Sequence, residues 1–414
     1  MLKKIVIIIS LLTATLLAVS CAPDSLDRSL DSIVGTWRFN TLAWEWEQLL
    51  GETEGRLLGG RTVSAEETEV VQRYFLLVGQ TRNLQSAMNA VTIGNQPGDA
   101  VRLRSDWERL EREKTAMKAR VEDIIANQIA ESLTEQGIYH PFEQYLGWQF
   151  SFPPINFRLE KPPYLLIISP RDQILSWKQV SLNSALTEEE REAIEAQTDR
   201  LGVSSLVEEL GGLGATYPTF VAQDASLRFT INTATHEWLH QYLAFKPAGF
   251  AYVLSLTGLS PNREVATLNE TLAGMFSEEV TRLVLEKYYP EEAKPTARPK
   301  PPTSGFDFNR EMREIRKTVD EYLARGQVEE AEAYMELKRQ YLASQGYYIR
   351  KLNQAYFAFH GRYADGPTSI NPIGREMREL RRQSTSLKSF LDTAAQIISR
   401  PELQSRLKPS SNNS

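Results

Sequence analysis

Residues 233–242, Thr233-Ala234-Thr235-His236-Glu237-Trp238-Leu239-His240-Gln241-Tyr242, place two of the four histidines of a 414-residue chain in one pentapeptide. On a helix, positions i and i+4 share a face, so the two imidazoles point the same way and Glu237 stands one step round from them. The flanking residues are uncharged, as suits a helix buried beneath a cleft, where an extra charge is costly.

Two imidazoles so spaced can bind one zinc ion, with Glu237 reaching a water on that metal. Zinc accepts neutral imidazole nitrogens and keeps a position for water when three protein ligands bind, so a third ligand is needed. No Cys or further His follows within a hundred residues, which leaves a carboxylate. Leu268-Asn269-Glu270-Thr271-Leu272-Ala273-Gly274-Met275-Phe276-Ser277 opens a second helical pattern. There Ala273, Gly274 and Ser277 share a face with Glu270, a stripe of small residues that permits close approach to the first helix. Glu264, Glu278 and Glu279 compete. The last two sit two turns beyond Glu270, about 12 Å along the axis, and could replace it only if the helix moved bodily. The expected metal ligands are His236, His240 and Glu270, with Zn(2+) as cofactor and Glu237 as the catalytic base.

The rest of the composition bounds this reading. Hydrophobic residues make up 42% and charged residues 24% of the chain, values of an ordinary folded protein. A single Cys excludes an internal disulfide framework and a Cys-built metal site. The net charge of −6 gives no reason to expect a nucleic-acid partner.

That single Cys has a telling position. Lys3 and Lys4 precede an apolar run, Ile5 to Val19, followed by Ser20 and Cys21, the layout of an export signal over residues 1–20. The run is short for a membrane-spanning helix, which needs about 20 apolar residues. Ala18-Val19-Ser20-Cys21 resembles a bacterial lipobox, which would make Cys21 the lipidation site and attach the exported protein to the cell envelope, on the extracytoplasmic face.

Helical periodicity dominates residues 21–145; Leu103, Trp107, Leu110, Met117, Val121 and Ile124 form an apolar stripe interrupted by Lys114. Prolines 153, 154, 162 and 163 then break the pattern, and Tyr164 to Ser169 reads as a strand. Thr187 to Thr198 is a charged helical stretch, and Gly211 to Val221 a glycine turn feeding an extended segment. Helices resume near Thr233 and run to Tyr289, so residues 146–290 would hold the metal-bearing core. Residues 291–308 form a proline-rich loop. Across 309–407, Asn309–Ala324 and Gln327–Ala343 predict a helical hairpin joined at Arg325-Gly326, with a further helix over Gly346–His360. Residues 408–414 are a polar tail. The fold class expected is α+β, mostly helical, with a small mixed sheet flanked by N- and C-terminal helical regions.

His236, Glu237, His240, Asn269 and Glu270 together resemble the gluzincins, zinc peptidases in which an HExxH helix and a downstream Asn-Glu helix share one metal. The likeness spans roughly residues 150–290. It extends loosely to bacterial envelope lipoproteins assigned as aminopeptidases, which add a later Asn-containing helix; Leu352 to Phe359 is the counterpart here. Two departures stand out. Thermolysin-like members orient a zinc-bound His with an acid one turn after the Glu ligand, where this chain has Gly274, so that support must come from elsewhere. The aminopeptidase N family holds the substrate amine with a Glu in a Gly-x-Met-Glu-Asn segment, where this chain has Gly214 in Gly211-Gly212-Leu213-Gly214-Ala215. Gly214, Ala215 and Thr216 could still pair with an extended peptide through backbone groups. An amine anchor would fall to Glu208 or Glu209.

The resemblance implies peptide-bond hydrolysis by a metal-activated water, Glu237 moving the proton, on a peptide or protein substrate outside the cytoplasm. A developing oxyanion needs a further donor. Tyr363 and Tyr356, in the aromatic stretch Tyr356 to Tyr363 that also holds His360, rank first for that role. The alternative is a non-catalytic, membrane-anchored lipoprotein that binds a partner or envelope component.

Overall fold

The computed structural model describes residues 25–40, 62–92, 98–143, 147, 151–213, 216–256, 259–260, 262–294, 306–361, 364 and 369–408. The expected export signal, Cys21, Gly214, Ala215, Tyr363, most of the proline-rich segment and the end of the tail lie outside them. The fold is α+β and mostly helical, as expected.

Among the described residues, three helices come first: α1 (Ser25–Val34), α2 (Ala65–Thr92) and α3 (Ala100–Glu135). Asp99 caps α3 by accepting from the Val101 and Arg102 amides. The α3 stripe buries Leu110, Val121 and Ile124 as the spacing predicts, and the interrupting Lys114 is buried against Glu111 at 2.8 Å.

Six strands follow among the described residues, β1 (Phe157–Glu160), β2 (Tyr164–Pro170), β3 (Lys178–Leu182), β4 (Val203–Glu209), β5 (Gly212–Leu213) and β6 (Thr219–Ala222), with helix α4 (Glu188–Asp199) between β3 and β4. They form two three-stranded sheets, antiparallel β3-β2-β4 and mixed β1-β6-β5. The unbroken apolar run of β2 is explained by the strand period of two. Tyr164, Leu166 and Ile168 pack with Leu30 and Val34 of α1 and Ile194 of α4, while Leu165 and Ile167 pack with Leu206 and Ala355 on the opposite face.

The chain then becomes helical: α5 (Leu227–Leu243), α6 (Pro247–Leu256), α7 (Arg263–Tyr288), the single turn α8 (Pro290–Ala293), α9 (Phe308–Ala324), α10 (Val328–Ser344), α11 (Gln354–His360), α12 (Ile373–Gln383), α13 (Leu387–Ala394) and α14 (Arg400–Arg406). Both motif helices start earlier than their apolar patterns suggest. Ser226 caps α5 by accepting from the Phe229 amide, and Asn262 caps α7 by accepting from Glu264 and Val265. The α9–α10 hairpin turns at Gly326, whose φ of +71° suits glycine. The helix expected over Gly346–His360 is shorter. Gly346, at φ +89°, ends the preceding helix, and Asn353 caps a new one by accepting from the Tyr356 amide.

One hydrophobic core runs through α2, α3, β1, α5, α7 and the C-terminal α12, α13 and α14. Val71 and Tyr74, Ile124 and Ile129, Trp238 and Leu239, Phe276 and Val280, and Phe390 and Leu403 all belong to it. The N- and C-terminal helices therefore share their interior with the motif helices.

Candidate metal centre

The motif helix α5 divides its residues by face. Trp238 and Leu239 point into the core, where the Trp238 indole donates to the Pro153 carbonyl at 2.7 Å and lies 6.4 Å from the Phe276 ring. His236 and His240 emerge on the face that meets α7, their Nε2 atoms 3.1 Å apart. Glu270 on α7 reaches them, Oε2 lying 3.4 Å from His236 Nε2 and 3.7 Å from His240 Nε2. The approach is close because the facing residues are small: Ala273 is fully buried, and Ser277 Oγ accepts from Asn232 of α5 at 3.2 Å.

His236, His240 and Glu270 are thus a nearly buried group whose ligand atoms all lie within 4.8 Å of one another, and which could hold a metal ion. Burial would raise the Glu270 pKa, but His240 and His236, together with hydrogen bonds from His236 and Tyr252, outweigh it and hold the carboxyl well below the usual range. Glu270 is therefore an anion in a pocket where desolvation disfavours one.

Support for His240 comes from the residue before Glu270. Asn269 Oδ1 faces His240 Nδ1 at 2.7 Å. An amide oxygen only accepts, so Nδ1 carries a proton, and Nε2 is the nitrogen directed at His236 and Glu270. This supplies the orientation that Gly274 cannot. Tyr252 of α6 adds a second constraint, donating its hydroxyl to Glu270 Oε1 at 2.5 Å while its ring stacks on His240 at 5.4 Å. Nothing in the sequence singled out Tyr252, which sits in an uncharged helix and reads as an ordinary core aromatic.

The competing carboxylates are engaged elsewhere. Glu264 Oε1 accepts from the Arg400 amide, Glu278 meets Asn232 and Arg228, and Glu279 takes a two-pronged bond from Arg381 at 2.7 and 2.8 Å.

Glu237 is half-buried and lies against β5. A Cβ added to Gly212 would come within 3.3 Å of Glu237 Oε1 and 2.4 Å of Thr233 Cγ2, and one on Gly211 within 2.4 Å of Phe229. The paired glycines let this strand cross α5 directly beside Glu237. Among the described residues, β5 is bonded to β6 on one side and has no strand on the other. Thr216, beyond the undescribed 214–215, is buried; its hydroxyl donates to the Pro218 carbonyl at 3.0 Å. Gln241, the residue after the second motif histidine, ties α5 to this region through the Thr216 carbonyl and Thr219 Oγ1 at 3.4 and 3.2 Å.

Tyr356 takes its place on α11 against the β3-β2-β4 sheet, its ring 4.2 Å from that of His360 and 5.7 Å from Phe357. Burial raises its pKa to about 12, with Glu208 adding to the rise. Glu208 is half-buried on β4, where desolvation lifts its pKa against the pull of Arg350; Glu209 is exposed. Glu208 therefore acts on Tyr356 electrostatically.

Comparison with models of known protein families, with curated proteins and with solved structures finds no match for this chain.

Proposed function

We propose that the chain is a zinc-dependent peptidase, with His236, His240 and Glu270 holding the metal and Glu237 serving as general base. The observation that carries this reading is the juxtaposition of two features: a two-nitrogen, one-oxygen donor set, and a carboxylate beside it that flanks β5. The donor set suits zinc in chemistry and spacing. Ligands about 2.0–2.1 Å from a tetrahedral zinc lie about 3.4 Å from one another, and the separations here are 3.1, 3.4 and 3.7 Å.

When bound, zinc supplies a Lewis acid and lowers the pKa of a water towards about 7. The chain's residues divide the remaining work. Asn269 fixes the His240 tautomer. Glu237 accepts the proton of the attacking water and returns it to the leaving amine. The side of β5 away from β6 would offer backbone groups to an extended peptide, lying across α5 with its scissile bond near Glu237.

Replacing Glu237 with Gln should abolish hydrolysis of a peptide library while zinc content stays near one per chain. Undiminished cleavage by that variant would end the mechanism, and zinc retained with no cleavage by the wild type would favour a binding protein. Digests of matched free and N-acetylated peptides would assign exo- or endopeptidase action, since only an aminopeptidase loses the blocked set.

The export signal and Cys21 support an envelope location with a lipid anchor. A Cys21→Ser variant should leave the membrane fraction and fail to incorporate labelled fatty acid; equal membrane retention and labelling would refute the anchor.

A further inference from the structure

Tyr252 makes two contacts with the triad from one side chain. Its hydroxyl donates to Glu270 Oε1 at 2.5 Å, and its ring lies almost parallel to the His240 imidazole, at 26° and 5.4 Å between centroids. The two oxygens of Glu270 consequently differ. Oε1 is held by the phenol, and Oε2 faces both histidine nitrogens. A carboxylate with both oxygens free can offer a metal one donor atom or two. Here one of the two is already occupied.

We infer that Tyr252 is a positioning residue that restricts Glu270 to a single donor oxygen and, with Asn269, fixes the plane of His240. The inference rests on the zinc reading above. It accounts for a tyrosine buried at this place in an uncharged helix, its phenol donating to a carboxylate. It also sets the number of protein donors at three, the count that leaves a position for water at a catalytic zinc.

Tyr252→Phe removes the hydroxyl and keeps the ring on His240. The metal-free variant should still unfold in one cooperative transition, at a lower temperature than the wild type because a buried carboxylate loses a donor, which checks that it folds. Metal-free wild type and variant are titrated with Co2+ as a spectroscopic probe and then challenged with a chelator. Wild type should give the intense visible bands of a four-coordinate site at one Co2+ per chain. The variant should bind the same amount with weaker bands of higher coordination, as Oε1 joins Oε2, because band intensity reports geometry. Loss of a partner behind a ligand typically costs about 10–100-fold in metal affinity or activity, so the chelator should strip the variant more readily and kcat should fall with KM little changed. Identical Co2+ spectra and chelator sensitivity in the two proteins would overturn the role of Tyr252. A wild type that takes up neither Co2+ nor Zn2+ would overturn the zinc reading itself, and this inference with it.

Discussion

His360 shows how far one buried group can be pushed. It ends α11 with its ring against Tyr356 and Phe359, and its Nε2 is buried without a hydrogen-bond partner. Burial brings its pKa down to about 4. An unfolded histidine titrates near 6.5, so the folded state gains relative stability above that pH and loses it as pH falls from about 6.5 towards 4, where only the unfolded chain takes the proton. Urea midpoints at pH 7 and pH 5 should drop further for wild type than for His360→Phe. An equal drop in both would show that His360 does not set the acid sensitivity. At this scale the sequence was most informative for His236, His240 and Glu270, because a 3.6-residue period and a hard requirement for a third ligand leave few solutions. It was silent on Tyr252, since nothing in a one-dimensional pattern separates a phenol that meets a carboxylate from one that merely fills space.

At the level of elements, the helices were legible and their ends were not. Apolar periodicity located α3, α5, α7, α9 and α10, but capping decides where a helix begins, and Ser226 and Asn262 lie in stretches that look like ordinary loop. The strand β5 was visible only as a glycine turn, because two residues carry no period. Its placement beside Glu237 depends on the absence of side chains at 211 and 212. Gly212→Ala would put a methyl carbon 2.4 Å from Thr233 Cγ2, so the strand must move off α5. A displacement of about 1 Å near a reacting centre can cost about 100-fold in rate, and kcat/KM should fall on that order while zinc content is unchanged. Wild-type kinetics in Gly212→Ala would mean that β5 does not line the substrate.

Across the whole molecule, one core joins α2 and α3 to the motif helices and to α12, α13 and α14, so these elements should unfold together. Compositional shifts near residues 150 and 300 mark changes in local structure, and the interior crosses both. Phe276 sits at the centre, fully buried between α5 and α7 and stacked on Trp238. Phe276→Ala should destabilise by about 3–5 kcal/mol, and tryptophan fluorescence and far-ultraviolet circular dichroism should report one coincident transition in both proteins. Two separated transitions would show that the helical regions unfold independently.

The backbone ties near residue 400 place this fold in time. The Ala395 carbonyl accepts from the Ala248 amide at the start of α6, and the Arg400 amide donates to Glu264 at the start of α7. The helices that carry Tyr252 and Glu270 are thus fastened at their first turns by residues more than a hundred places later in the sequence. During synthesis His236, His240 and Glu270 therefore emerge well before Ala395 and Arg400, so the three side chains can take up this mutual geometry only after the segment around residue 400 has joined them.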